Sequence, residues 1–263
     1  MLYCCRDFKK GAIFLQLWTR LHAITYIPTF CVMIFVAIML RRILIKKEEK
    51  VRLIPLKIIA ILLIVLEIGK QITSISQGYN LYHLPFHFCS LFILFIPLAA
   101  FYSGKWRKSI FSFTTVISST LFAFMLVCPS NAYSDECFSG FFSDFLDFHT
   151  IVFHSLVVFE FLLIVALDLY QPNTKFDAKN TLIIISAYSL VGGIMAQILK
   201  TNYNNFYYCH AEAVDNIRLA IIENIGYAAG QTVYVLGVYA VNITFVFASY
   251  AIYRLIISAV KAR

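Results

Sequence analysis

The sequence predicts an all-α membrane protein, a single polytopic helix bundle over residues 1–263 with about seven transmembrane helices, its N-terminus outside and its C-terminus inside. Three observations predict it. The chain is 60% hydrophobic and only 14% charged, where a soluble domain carries about 25% charged residues. Its apolar residues fall into seven runs, each near the roughly 20 residues a helix needs to cross a bilayer. These runs do not alternate apolar with polar residues, which excludes an outer-membrane barrel, and they leave no stretch long enough for a separate soluble domain.

The first run, 21–40, begins after Arg20 and has basic residues behind it rather than a small-residue cleavage site, so it reads as a span and not as a signal peptide. The second, 53–75, carries Glu67 and Lys70. The third, 84–102, opens at Pro85, which suits a first helical turn because its missing N–H is not needed there. The runs 109–128, 148–169, 181–199 and 231–257 complete the seven. Orientation comes from charge: fifteen of the 22 lysines and arginines lie after the first, third and fifth runs or at the C-terminal end, among them Arg41, Arg42, Arg52, Lys105, Lys175 and Arg254. That side is the inner one by the positive-inside rule. The net charge of +8 is therefore a topology signal, and no basic face for nucleic acid is implied.

Seven cysteines, an odd number, argue against a disulfide scaffold. Cys137 and Cys209 both lie in outer loops, where an oxidising compartment would allow them to pair, and Cys4 and Cys5 face outward on this topology. The outer side also holds an amphipathic stretch between Arg218 and Gly230, about three turns long, which suits an interfacial helix.

Polar residues inside the runs need a reason to be there. Glu67 and Lys70, three residues apart, share a helix face that points into the bundle, as a structural ion pair or as part of a site. His83 and His87 precede and open the third run, and Cys89 would lie about one turn inside a Pro-started helix, where the dipole favours a thiolate. His149 and His154 enter the fifth run from the same side, the second roughly 7 Å deeper. Asn202 and Tyr203 return to that side after the sixth run. Topology alone thus gathers Glu67, Lys70, His83, His87, Cys89, His149, His154, Asn202 and Tyr203 at one end of the bundle.

The Glu67-x-x-Lys70 helix, the block Leu84-Pro85-Phe86-His87-Phe88-Cys89-Ser90-Leu91, Pro129, the helix opening with His149 and His154, and the pair Asn202-Tyr203 together resemble the YwaF-like integral membrane family over about residues 60–205. That family is similar to vertebrate transmembrane proteins that include a cysteine-dependent acyltransferase acting on ether phospholipids. The resemblance implies a bacterial-type cell membrane, a phospholipid or acyl-lipid substrate, Cys89 as the acyl-carrying thiol, and His149 or His154 as its base. Lys70, Asn202 or the free N–H groups at the start of the third run would hold an oxyanion. This reading uses no metal or other cofactor. Two others stand beside it: a transport or binding protein that holds a small anionic or lipid ligand against Lys70 and the histidines, and a lipid hydrolase whose zinc would sit on His83, His87 and a histidine of the fifth run.

Overall fold

The computed structural model describes residues 18–129, 132 and 134–261, and Cys4 and Cys5 lie outside them. Its helices in order are α1 (Arg20–Leu44), α2 (Glu49–Arg52), α3 (Ile54–Ser76), α4 (Ser90–Phe101), α5 (Arg107–Val127), α6 (Asp135–Gly140), α7 (Phe145–Ala166), α8 (Thr174–Ile198), α9 (Glu212–Ile225) and α10 (Tyr227–Lys261). A single turn of 3-10 helix, Leu81–His83, precedes α4. The described residues contain no strand.

Five helices, α1, α5, α7, α8 and α10, are long and apolar enough to cross a membrane. The remaining two expected crossings fall on α3, 23 residues long with Lys57, Glu67 and Lys70 in it, and on α4, which has only 12 residues. The third run is therefore not one helix over 84–102. Residues 84–89 are irregular, and Cys89 is the N-cap of α4 rather than a residue one turn inside it. Pro85 does not start the helix, because the backbone on its C-terminal side is claimed by side chains from the far end of the chain. Asn204 accepts from Phe88 N–H (2.6 Å) and donates to the Phe86 carbonyl (2.8 Å), and the Tyr188 hydroxyl donates to the His87 carbonyl. The amphipathic stretch also starts earlier than expected, at Glu212, and stops at Gly226, whose φ of +83° is left-handed and breaks α9 from α10.

Helix α5 is the axis of the bundle, packed by α4, α7, α8 and α10. Its face-to-face packing uses small polar residues, and Ser112, Thr114, Thr115, Ser118, Ser119 and Thr120 are all buried. Most return their hydroxyls to their own helix, as Thr115 does to the Phe111 carbonyl (2.7 Å) and Thr120 to Val116 (3.0 Å).

The end of the bundle opposite Glu67 is closed by charge. Asp177, fully buried near the start of α8, accepts from Ser112 Oγ (2.8 Å) and the Asn173 N–H (2.8 Å), and from the Tyr170 and Tyr250 hydroxyls, so it ties α5, α8 and α10 together. Arg41 and Arg52 donate to the Ala166 and Leu167 carbonyls at 2.5 and 2.8 Å, satisfying the C-terminal carbonyls of α7 where a cation also suits the helix dipole. Arginines from the basic loops that predict the inner side are thus also structural. Asp177→Ala is expected to strand three hydroxyl donors in the core and cost about 3 kcal/mol or more, measured as loss of thermal stability of the detergent-solubilised chain; an unchanged melting temperature would show that the node holds nothing together.

Candidate functional site

The site is built where α3 meets α7. Glu67 and Lys70 form an ion pair of 2.7 Å with both side chains largely buried, and Gln71, four residues on from Glu67, donates to the same carboxylate oxygen at 2.7 Å. The other oxygen faces His149 Nε2 of α7 at 3.6 Å, a gap too long for a hydrogen bond, and neither of those two atoms has a hydrogen-bond partner among the described residues. Between the two charged residues, Gly69 lets the helices approach: a Cβ there would stand 2.6 Å from the Phe145 ring at the start of α7. That approach is what brings His149 opposite Glu67.

Gln71 extends the cluster into the irregular segment. Its amide donates to the His83 carbonyl (3.0 Å) and accepts from the Tyr79 hydroxyl (3.0 Å), while His83 Nδ1 meets Ser74 Oγ at 2.5 Å. His83 is therefore joined to Glu67 through α3. His87 belongs to a neighbouring group: its Nε2 donates to the Tyr82 carbonyl (3.0 Å), its ring lies 4.0 Å from Tyr82 and 5.2 Å from Tyr203, and the fully buried Tyr203 donates to the Leu81 carbonyl (2.5 Å). Since a carbonyl can only accept, the His87 lone pair of the neutral ring sits on Nδ1.

Cys89 is free and half-buried at the head of α4, within electrostatic reach of Tyr188 on α8. It makes no hydrogen bond to a histidine among the described residues. The expected donors at the helix start are already used, because the N–H groups of Ser90, Leu91 and Phe92 bond to the His87, Phe88 and Cys89 carbonyls. His154 points elsewhere from His149: five residues on, it lies about 140° round α7, with Nδ1 donating to the Thr150 carbonyl (2.7 Å). Asn202 is apart from the cluster too. It accepts from the Tyr207 and Tyr208 N–H groups, both at 3.3 Å, and meets His210 at 3.2 Å, which makes it a loop brace. The disulfide expectation changes as well, for Cys209 is free while Cys137 is disulfide-bonded, so the two do not pair with each other.

Sequence reasoning missed Asn204 and Glu160. Asn204 and Asn205 both have positive φ, 52° and 62°, and adjacent asparagines are a readable sign of a left-handed turn, though not of what Asn204 clamps. Glu160 is fully buried in the middle of α7 with neither oxygen hydrogen-bonded among the described residues; Ser118 approaches it from α5 without completing a bond. No three His, Cys, Asp or Glu side chains converge on a metal-sized site among the described residues.

A model of the TMEM164 family matches residues 17–253. The chain belongs to the TMEM164 family. With its run of apolar helices, this TMEM164-family chain is an integral membrane protein. No curated protein and no solved structure matches it.

Two outcomes follow from the charges. Glu67→Gln leaves Lys70 without its anion and is expected to cost about 3 kcal/mol, whereas Glu160→Gln removes an uncompensated carboxyl and is expected to be neutral or to stabilise by about 1 kcal/mol. Melting curves of both variants in detergent check the opposite signs; a large loss for Glu160→Gln would reveal a partner. Burial, with the Lys70 ammonium as the next cause, holds the His83 imidazole below its ordinary value. The unfolded chain then binds this proton more tightly than the folded one, so stability is expected to fall as pH drops below about 6.5, and a melting-temperature series in His83→Gln should be flatter over that range.

Proposed function

We propose that the protein is a membrane-embedded acyltransferase or transacylase in which Cys89 carries the acyl group and His149, oriented by Glu67, moves the protons. The observation that carries this reading is the buried Glu67 carboxylate, which faces His149 with one oxygen while Lys70 and Gln71 hold the other. A carboxylate behind an imidazole fixes its tautomer and supports its protonated form, as in nucleophilic catalysis generally. The 3.6 Å gap agrees with this, since such contacts are often long without substrate and tighten when it binds. Cys89 adds a free thiol at the head of α4. Resemblance to YwaF-like proteins, and through them to a cysteine-dependent ether-phospholipid acyltransferase, supports the substrate class.

In the forward half-reaction His149 takes the Cys89 proton, sulfur bonds to the ester carbonyl carbon, and the carbon–oxygen bond breaks as the protonated imidazole returns the proton to the leaving alcohol. An acceptor alcohol then reverses the steps, and the acyl group leaves sulfur. Lys70 is the cation best placed by chemistry to balance the oxyanion. Asn202 drops out of that role because its amide is committed to the loop. His154 remains a second base candidate, for its Nδ1–H donation to Thr150 puts the lone pair of the neutral ring on Nε2. In the same reading α3 and residues 84–101 complete seven crossings, with the site end outward in a bacterial-type cell membrane. The binding or transport alternative rests on the same Lys70, which the Glu67 ion pair engages in either reading. The zinc alternative finds no converging ligand set among the described residues.

Reconstituted protein incubated with a phospholipid bearing a labelled acyl chain is expected to gain one acyl mass, removed by neutral hydroxylamine and absent from Cys89→Ser. Turnover in His149→Ala is expected to fall at least about 100-fold. Equal transfer by wild type and Cys89→Ala would overturn the mechanism.

A further inference from the structure

A cavity of about 450 Å³ lies between α1, α6 and α7, within the range of small-molecule sites, and the proposed chemistry does not use it. Its wall on α7 is Ile151 and Ser155. At about 100° per residue these lie roughly 200° and 240° round the helix from His149, on the far side from Glu67. The cavity is thus separate from the Cys89 and His149 site.

Three features define what fits it. Its wall is mostly apolar: Thr25 and Thr29 line it from α1, but their hydroxyls donate to the Leu21 and Thr25 carbonyls at 2.7 and 2.8 Å, and Leu21, Ile151 and phenylalanine rings make up most of the rest, beside the polar Tyr26, Ser139 and Ser155. Its length is that of one leaflet, because the α1 wall runs from Leu21 at the helix end to Thr29, about 12 Å, close to half of a hydrocarbon core about 30 Å thick. Its mouth holds an exposed cation beside the acids Asp135 and Glu136 that open α6. Arg20 begins α1 beside it, exposed and without an ion pair among the described residues, while the nearby Asp135 carboxylate is already engaged by Thr19 (2.7 Å) and His22 (3.5 Å). Phe142, another lining residue, is 97% exposed, as suits a ring at the membrane interface.

We propose that this space holds one acyl chain of a phospholipid from the leaflet at the site end, with the lipid phosphate at Arg20. The chain enters sideways from the bilayer, and the Ser155 hydroxyl, which makes no hydrogen bond among the described residues, marks the inner limit of the site on α7. This lipid site stands whether or not Cys89 is acylated.

The test is a photo-crosslinking map of the full chain in phosphatidylcholine vesicles containing a minor fraction of phosphatidylcholine with a diazirine in one acyl chain. Adducts are expected to concentrate on residues 21–29 and 151–155 over the lipid-facing Leu236 and Val241 of α10, in wild type and in Cys89→Ala alike. Ser155→Trp, which fills the cavity, is expected to lower adducts there about tenfold and leave those on α10 unchanged. If that variant does not fold, the wild-type map decides alone. An even spread of adducts over all exposed helices overturns the proposal, as does labelling of 151–155 that Ser155→Trp leaves intact. Equal labelling by a diazirine fatty-acid methyl ester, unaffected by Arg20→Gln, overturns the phosphate assignment.

Discussion

A backbone inside a bilayer has no water to bond, so every N–H and C=O it exposes there must find a partner in the protein. Residues 84–89 break the helical pattern just ahead of α4, and their pairing is what the site rests on. Asn204 and Tyr188 reach in to take groups that a helix would have paired internally, and Gln71 takes the His83 carbonyl just ahead of them. The loop after α8 is in turn shaped by the left-handed Asn204 and Asn205, so residues over one hundred positions apart hold Cys89 at the head of α4. An alanine at 204 would free two backbone groups at once.

The second constraint is charge. A carboxylate and an ammonium taken from water together are tolerable only when close and hydrogen-bonded, and Glu67 with Lys70 and Gln71 meets that condition on one side. On the other side it is left open toward His149. Stability alone would favour closing that contact, and a site that must change its hydrogen bonds during a reaction would not. Glu160 shows the contrast, since nothing among the described residues offsets its burial.

The sequence made the membrane class readable because composition and hydrophobic runs are local properties, and it made the Glu67–Lys70 pair readable because three residues is a helical neighbour distance. His149 followed from topology, which put α7 and α3 at the same end. The break before α4 was not legible, because Pro85 is as compatible with a helix start as with a loop and the deciding partner, Asn204, is remote. The same remoteness hid that Asn204, two residues beyond Asn202, does the clamping, and loop position alone could not decide whether Cys137 pairs with Cys209. Glu160 hid within an apolar run, where one acid hardly alters the hydropathy. Separating His149 from His154 needed only the helical angle, once α7 was known to present its His149 face to α3.

Whether the Glu67–His149 pair serves the Cys89 thiol is open to a direct kinetic measurement that needs no substrate. Alkylation of Cys89 by a membrane-permeant maleimide can be timed against Cys128, another free and half-buried cysteine of the same chain, in wild type and in His149→Asn. The expected result is faster alkylation of Cys89 than of Cys128, with a loss of about tenfold in the variant while Cys128 is unaffected. Identical Cys89 rates in the two proteins would mean that the imidazole does not reach the thiol, and the pair would then be a structural clamp between α3 and α7.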